Sequence, residues 1–273
     1  PQLLAAAEAR RLAGAEKSGE PAGERCAGGI TVGCGATDAV ETTVGGEEKY
    51  MRIQGLQKLT LLDYPGRTAC TVFLSGCNFR CPFCHNVPLL TAADEDGMDE
   101  DELLAFLKKR RGLLDGVAVT GGEPLLRPEL PALLEKVKAL GYAVKLDTNG
   151  TFPERLEAIM RTGLADYVAM DVKNSPVRYA QTVGAVELDL APIDKSVSFL
   201  LRGTVDYEFR TTAVAELHDD ASFLSLADWL AGARRYFIQC FEPLETVLQA
   251  DLHAPSPAQL HHWAELVRSK ISD

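Results

Sequence analysis

Residues 68–86 read TACTVFLSGCNFRCPFCHN, and this stretch decides the fold. Thr68 to Leu74 is a short apolar run rich in β-branched residues, the pattern of a buried strand. It leads through Ser75-Gly76 into Cys77, Cys81 and Cys84, a C-x3-C-x2-C array. Three thiolates this closely spaced can grip one soft metal centre. A four-iron cluster has four corners, so three cysteines leave one iron open to an exogenous ligand. A structural zinc site is the alternative. It wants four ligands, and His85, directly adjacent to Cys84, is an awkward fourth.

Outward from this stretch the strand pattern repeats. Apolar runs predict strands at about Thr68 to Leu74, Val117 to Thr120, Ala143 to Asp147, Tyr167 to Asp171, Glu208 to Val214 and Tyr236 to Gln239. Amphipathic segments between and after them predict helices at about Asp99 to Arg111, Pro128 to Leu140, Pro153 to Thr162, Pro192 to Leu201, Asp220 to Ala231 and Pro257 to Lys270. Several open with Pro or an acidic residue, as helix N-termini prefer. Strict alternation of strand and helix is the signature of a parallel sheet. Six βα units are too few for a closed eight-stranded barrel, so the expected fold is α/β, a partial (β/α)6 barrel, with an open doubly wound sheet as the second choice. In either, chemistry gathers at the C-terminal ends of the strands.

Polar motifs stand at those ends. Thr120-Gly121-Gly122-Glu123-Pro124 follows the second strand; its glycines would let a ligand approach the backbone, and Glu123 offers an acceptor for an ammonium group. The third strand ends in Asp147-Thr148-Asn149-Gly150 and the fourth in Asp171-Val172-Lys173. Taken alone, Asn-Gly is a turn signal and a strand-end Asp is commonly a helix cap.

These residues together resemble the radical S-adenosylmethionine (SAM) superfamily, and Met51 to Leu90, MRIQGLQKLTLLDYPGRTACTVFLSGCNFRCPFCHNVPLL, is similar to the glycyl-radical-enzyme activating proteins. The nearest likeness is to activators of the anaerobic (class III) ribonucleotide reductase, and it extends from Met51 to about Pro243. The resemblance implies a [4Fe-4S] cluster held by Cys77, Cys81 and Cys84, with Phe83 packed beside it and SAM on the open iron. It implies that Gly121, Gly122 and Glu123 hold the amino group of SAM, and that Asp147, Thr148, Asn149, Asp171 and Lys173 line the SAM site. The acidic residues would share a bound monovalent cation, a need that charge balance reinforces, because two carboxylates and that of SAM would otherwise repel one another. Arg210, in Phe209-Arg210-Thr211-Thr212, is implied as a partner for the SAM carboxylate, which a guanidinium matches bidentately. Formate-lyase activators carry a His after the sixth strand; here Gln239-Cys240-Phe241 stands there, which favours the reductase-activator branch.

The activity so implied is reductive cleavage of SAM, with flavodoxin or ferredoxin as electron donor. The resulting 5′-deoxyadenosyl radical takes hydrogen from a glycine of a glycyl radical enzyme. No general acid or base is required, and none is identified. The rivals are activation of a formate-lyase type enzyme, a radical SAM reaction on a small molecule, and a non-catalytic zinc module.

Composition agrees with an enzyme domain. The 273 residues are 46% hydrophobic, enough for a large core, and the formal charge of −11 argues against a broad nucleic-acid or anionic-membrane surface. Apolar runs such as Val117 to Thr120 are too short to span a bilayer, and a cytoplasmic location is expected. The seven cysteines are odd in number and unevenly spread, which favours metal or redox chemistry over disulfides. Cys70 and Cys240 are expected in the core, and Cys26 with Cys34 are too few for a site. His218, His253, His261 and His262 are expected as surface or packing residues. Residues 1–50, rich in Ala, Gly and Glu, are expected to be a poorly structured extension with a helix over Gln2 to Ala15 and a Gly-rich loop over Cys26 to Gly35; residues 51–273 form the radical SAM domain.

Overall fold

A computed structural model describes residues 51–91 and 97–271. The expected extension, its helix, its Gly-rich loop, and Cys26 and Cys34 lie outside the described residues. In chain order the elements are β1 (Arg52–Ile53), β2 (Gly55–Thr60), β3 (Ala69–Leu74), α1 (Val87–Leu90), β4 (Met98–Asp99), α2 (Glu100–Lys109) and β5 (Gly116–Gly121). They continue with α3 (Leu130–Ala139), β6 (Ala143–Thr148), α4 (Pro153–Arg161), β7 (Tyr167–Asp171), α5 (Tyr179–Thr182), α6 (Ala191–Leu201), β8 (Asp206–Ala213), α7 (Asp220–Trp229), β9 (Tyr236–Cys240) and α8 (Pro257–Arg268).

Seven strands form one sheet in the order β2-β3-β5-β6-β7-β8-β9. Strand β2 is antiparallel to β3, and every later pair is parallel. Spatial order follows chain order without reversal, so every crossover winds the same way. That decides for the partial (β/α)6 barrel, because a doubly wound sheet reverses at a switch point. Strand β3 is buried at all six positions, as expected for a strand covered on both faces, and full burial of Val72, Phe73 and Leu74 contributes roughly 1.5–3 kcal/mol each.

Helix starts follow the chemistry of the first turn. The Asp219 carboxylate accepts from the Ser222 N–H at the start of α7, and Ser256 with Gln259 forms a reciprocal capping box before α8, with Pro257 at the first helical position. No helix among the described residues is long and apolar enough to cross a membrane.

Five elements were not expected, the one-turn helices α1 and α5 and the strands β1, β2 and β4. Strand β2 lies at the sheet edge with mostly exposed or half-exposed residues, so it lacks the apolar run that marks the central strands. The two-residue strands β1 and β4, which pair antiparallel, are too short for any periodicity. One expectation is corrected. Cys70 is fully buried in β3, but Cys240 is exposed, because β9 is the last strand and is covered at few positions.

Candidate functional site

The C-terminal ends of the parallel strands converge on one cavity. Cys77, Cys81, Phe83 and Cys84 line it together with Gly121, Gly122, Asp147, Thr148, Asn149, Asp171, Lys173 and Arg210. Of the site residues expected from sequence, Glu123 alone is absent from this wall. His85, Asn86, Thr212 and Gln239, which sequence reasoning did not select, also line it.

The cysteine loop is held both by its neighbours and by bonds within itself. Gly76 N–H donates to Leu89 O (2.8 Å), Arg80 N–H to Val183 O (3.0 Å), and Arg80 Nη1 to the carbonyls of Cys77 and Phe79 (2.7 Å each). Asn86 Nδ2 reaches Gly121 O at 2.6 Å, and the His85 ring stacks on Phe241 with centroids 5.5 Å apart. The Phe79 N–H points at Cys77 Sγ (3.4 Å), a donor that stabilises a thiolate or a metal-bound sulfur. Burial raises all three thiol pKa values, Cys81 to about 12, while the Lys173 ammonium pulls each of them down. In the metal-free protein these groups are therefore thiols that lose protons on taking up metal.

Among the described residues, no three His, Cys, Asp or Glu side chains converge closely enough to hold a single metal ion. Three cysteine thiols lining one cavity are a donor set that fits a four-iron cluster with one open corner.

The Gly-Gly-Glu segment, besides bringing two glycines to the cavity, braces the cysteine loop. A Cβ on Gly122 would stand 1.9 Å from Gly76 O, and one on Gly121 would stand 2.3 Å from Leu74 O, where φ is also +125°. The close approach these glycines permit is by the root of the cysteine loop: Gly122 N–H donates to Leu74 O (2.9 Å) and Glu123 N–H to Gly76 O (2.8 Å). Glu123 is fully buried, and its carboxylate accepts from Thr148 Oγ1 (2.8 Å), Asn149 N–H (2.6 Å) and Leu125 N–H (3.0 Å). Desolvation raises its pKa to about 7 even against those three donors. Glu123 turns inward and ties the Asp-Thr-Asn-Gly turn to the neighbouring strand end. Asn149 Nδ2 then donates to Asn78 Oδ1 (2.9 Å), joining that turn to the cysteine loop.

The same cavity carries a set of charges. Arg210 Nε donates to Asp171 Oδ1 (2.8 Å) and its Nη2 lies 3.2 Å from Asp147 Oδ2. Lys173 Nζ holds Asp171 Oδ2 (3.0 Å), and the buried Lys145 holds Asp147 Oδ1 (2.5 Å). Burial pushes the Asp147 carboxyl up, but Arg210 and Lys145 outweigh it and hold it below the usual range; Arg210 and Lys173 do the same for Asp171. Each of the two carboxylates thus meets two cations within the wall, Asp147 meeting Lys145 and Arg210 and Asp171 meeting Lys173 and Arg210.

Comparison with known proteins accords with this geometry. The family profile described as the radical SAM superfamily matches residues 71–219. The chain belongs to the radical SAM superfamily. This family implies a [4Fe-4S] cluster and SAM, and the thiol set and charged wall described above fit both. A Methanocaldococcus jannaschii protein, provisionally named a glycyl-radical enzyme activating enzyme, is 32% identical over 76% of this chain and 87% of its own length. A 7-carboxy-7-deazaguanine synthase of Hyperthermus butylicus is 34% identical over 52% of this chain and 57% of the relative. The pyruvate formate-lyase-activating enzyme of Clostridium pasteurianum is 35% identical over 45% of this chain and 52% of the relative. This radical SAM chain thus spans little more than half of each of the latter two.

Two histidine expectations are refined. His218 is buried, with Nε2 near Lys173 O (3.0 Å), as a packing residue. His253 and His262 are exposed but meet carboxylates that sequence spacing did not indicate, Glu216 at 2.7 Å and Asp220 at 3.0 Å.

Proposed function

We propose that this chain is a glycyl-radical-enzyme activating enzyme whose partner is a class III ribonucleotide reductase. The observation that carries the radical chemistry is one cavity at the strand ends, lined by three thiols together with paired Asp, Lys and Arg side chains. The likeness over 87% of the Methanocaldococcus jannaschii protein supports the activating role, and Gln239 to Phe241, which lacks a His, favours the reductase branch.

In this reading Cys77, Cys81 and Cys84 hold the cluster, and Phe83 packs against it at the buried side. The bound cluster and SAM supply one-electron reduction and the 5′-deoxyadenosyl radical. The protein's own part is binding, orientation and exclusion of water. The backbone at Gly121 and Gly122 approaches the amino group of SAM; Thr148, Asn149 and Asp171 shape the wall; and Lys173, whose ammonium has a single donor engaged by Asp171, offers the others to the SAM carboxylate beside Arg210. Holding the reacting atoms together matters most, since a radical released into the cavity would attack the protein. Flavodoxin or ferredoxin serves as electron donor. The domain runs from 51 to 273, and residues 1–50 are dispensable for chemistry, so truncation to Met51 leaves SAM cleavage intact.

Electron paramagnetic resonance of candidate partners, after incubation with the reduced activator and SAM, tests the assignment. A glycyl doublet on the reductase is expected. A doublet on formate lyase alone would reassign the partner, and SAM turnover with no protein radical on any candidate would favour a small-molecule substrate.

A further inference from the structure

The charged wall is a linked set centred on Arg210. Three carboxylates, Asp147, Asp171 and Glu208, face three cations, Lys145, Lys173 and Arg210, and the formal charges cancel. Arg210 reaches all three acids, with Nη1 3.9 Å from Glu208 Oε1. The other Glu208 oxygen accepts from Tyr167 OH at 2.8 Å, and that hydroxyl in turn accepts from Arg235 Nη1 at 3.1 Å, away from the cavity. Lys145 is the unusual member. It is 1% exposed, does not line the cavity, and lies two residues before Asp147, so both side chains leave β6 on the same face. An ammonium so placed costs desolvation energy that only the facing carboxylate repays.

We propose that Lys145 is a built-in cation: its ammonium fixes Asp147 and balances the wall, so that SAM binds without an alkali metal ion. This rests on the reading of the cavity as the SAM site. Without Lys145 the wall keeps three carboxylates and two cations. Asp147 lines the cavity, so an alkali ion entering from that side can restore the balance. Oxygen ligands suit such an ion. Lys145 is a positioning residue, and its removal should create an ion dependence that a merely packed side chain would not.

The test compares the full chain, loaded with its cluster, as wild type, Lys145→Met and Lys145→Arg, in tetramethylammonium and in potassium buffers. Thermal stability and equilibrium SAM binding are both read. Wild type and Lys145→Arg should change by less than about twofold in SAM affinity between the two buffers. For Lys145→Met, potassium should raise Tm by about 3 °C or more and recover SAM affinity by on the order of fivefold. A wild type that needs potassium for SAM binding overturns the proposal, as does a Lys145→Met protein that ignores potassium in both readouts. A wild type that carries its cluster but binds no SAM in either buffer sinks the reading of the cavity instead, and the Tm response of Lys145→Met still decides the role of Lys145. Should Lys145→Met not fold, Lys145→Gln takes its place in both measurements.

Discussion

Replacing Gly122 by Ala should dislodge the cysteine loop from the strand that carries it. The added Cβ would lie 1.9 Å from Gly76 O and 2.6 Å from Gly76 C, both backbone atoms that no rotamer change can move. Opening the contact from 1.9 Å to an ordinary 3.4 Å requires a retreat of about 1.5 Å by one of the two backbones. That retreat breaks the hydrogen bonds from Glu123 N–H to Gly76 O and from Gly122 N–H to Leu74 O. Each is worth about 0.5–1.5 kcal/mol net, so with residual strain the loss of stability should reach about 2–4 kcal/mol. Cys77 follows Gly76 directly and moves with it, so cluster uptake should fall more than the fold does. The assay is bound iron after anaerobic reconstitution, read beside Tm, with Gly163→Ala as control. Gly163 has φ +69° and nothing within 4 Å of its added Cβ, so it should lose only the roughly 1–2 kcal/mol of left-handed strain and keep its iron. A Gly122→Ala protein matching that control in both readouts would refute the argument.

Three further outcomes are expected. Glu123 has its pKa raised from 4.5 to about 7, so the folded state binds the proton more tightly than the unfolded; its stabilising effect is full below pH 4.5 and is lost, by on the order of 3 kcal/mol, as pH rises to about 7. Glu123→Gln should remove that slope from the difference between denaturation curves at pH 5 and pH 8, while costing stability at both; an unchanged slope would count against the assignment. Lys173→Met should slow iron uptake and move it to higher pH, because the ammonium that favours all three thiolates is gone, and stopped-flow absorbance during reconstitution would show uptake at the wild-type rate if this is wrong. Cys240→Ser should match wild type in iron content, since that thiol is exposed and outside the cavity wall, whereas Cys70→Ser should keep its iron but lose about 1–3 kcal/mol from a hydroxyl placed in a filled core.

The six parallel strands were legible because apolar runs such as Val117 to Val119 and Val168 to Met170 are buried on both faces and bounded by polar ends. The cysteine array was legible because its meaning lies in short spacing. What escaped were features that exist only across the barrel. Lys145 and Glu208 sit inside strands where alternation suggests solvent, yet the curved sheet turns that face inward and pairs them with Asp147 and Arg210. The packing role of the glycines at 121 and 122 escaped because the backbone that fills the place of their missing side chains, Leu74 to Gly76, lies more than forty residues earlier. Strand β2 escaped because an edge strand buries too little to leave a pattern.

The central claim is that Cys77, Cys81 and Cys84 together hold the cluster at which SAM is cleaved. Production of 5′-deoxyadenosine by the reduced, iron-loaded full chain, measured beside iron content for wild type and for Cys77→Ala, Cys81→Ala and Cys84→Ala, tests it most directly. The account predicts turnover in the wild type and none in any of the three variants; a single variant with full cluster content and wild-type deoxyadenosine would contradict it.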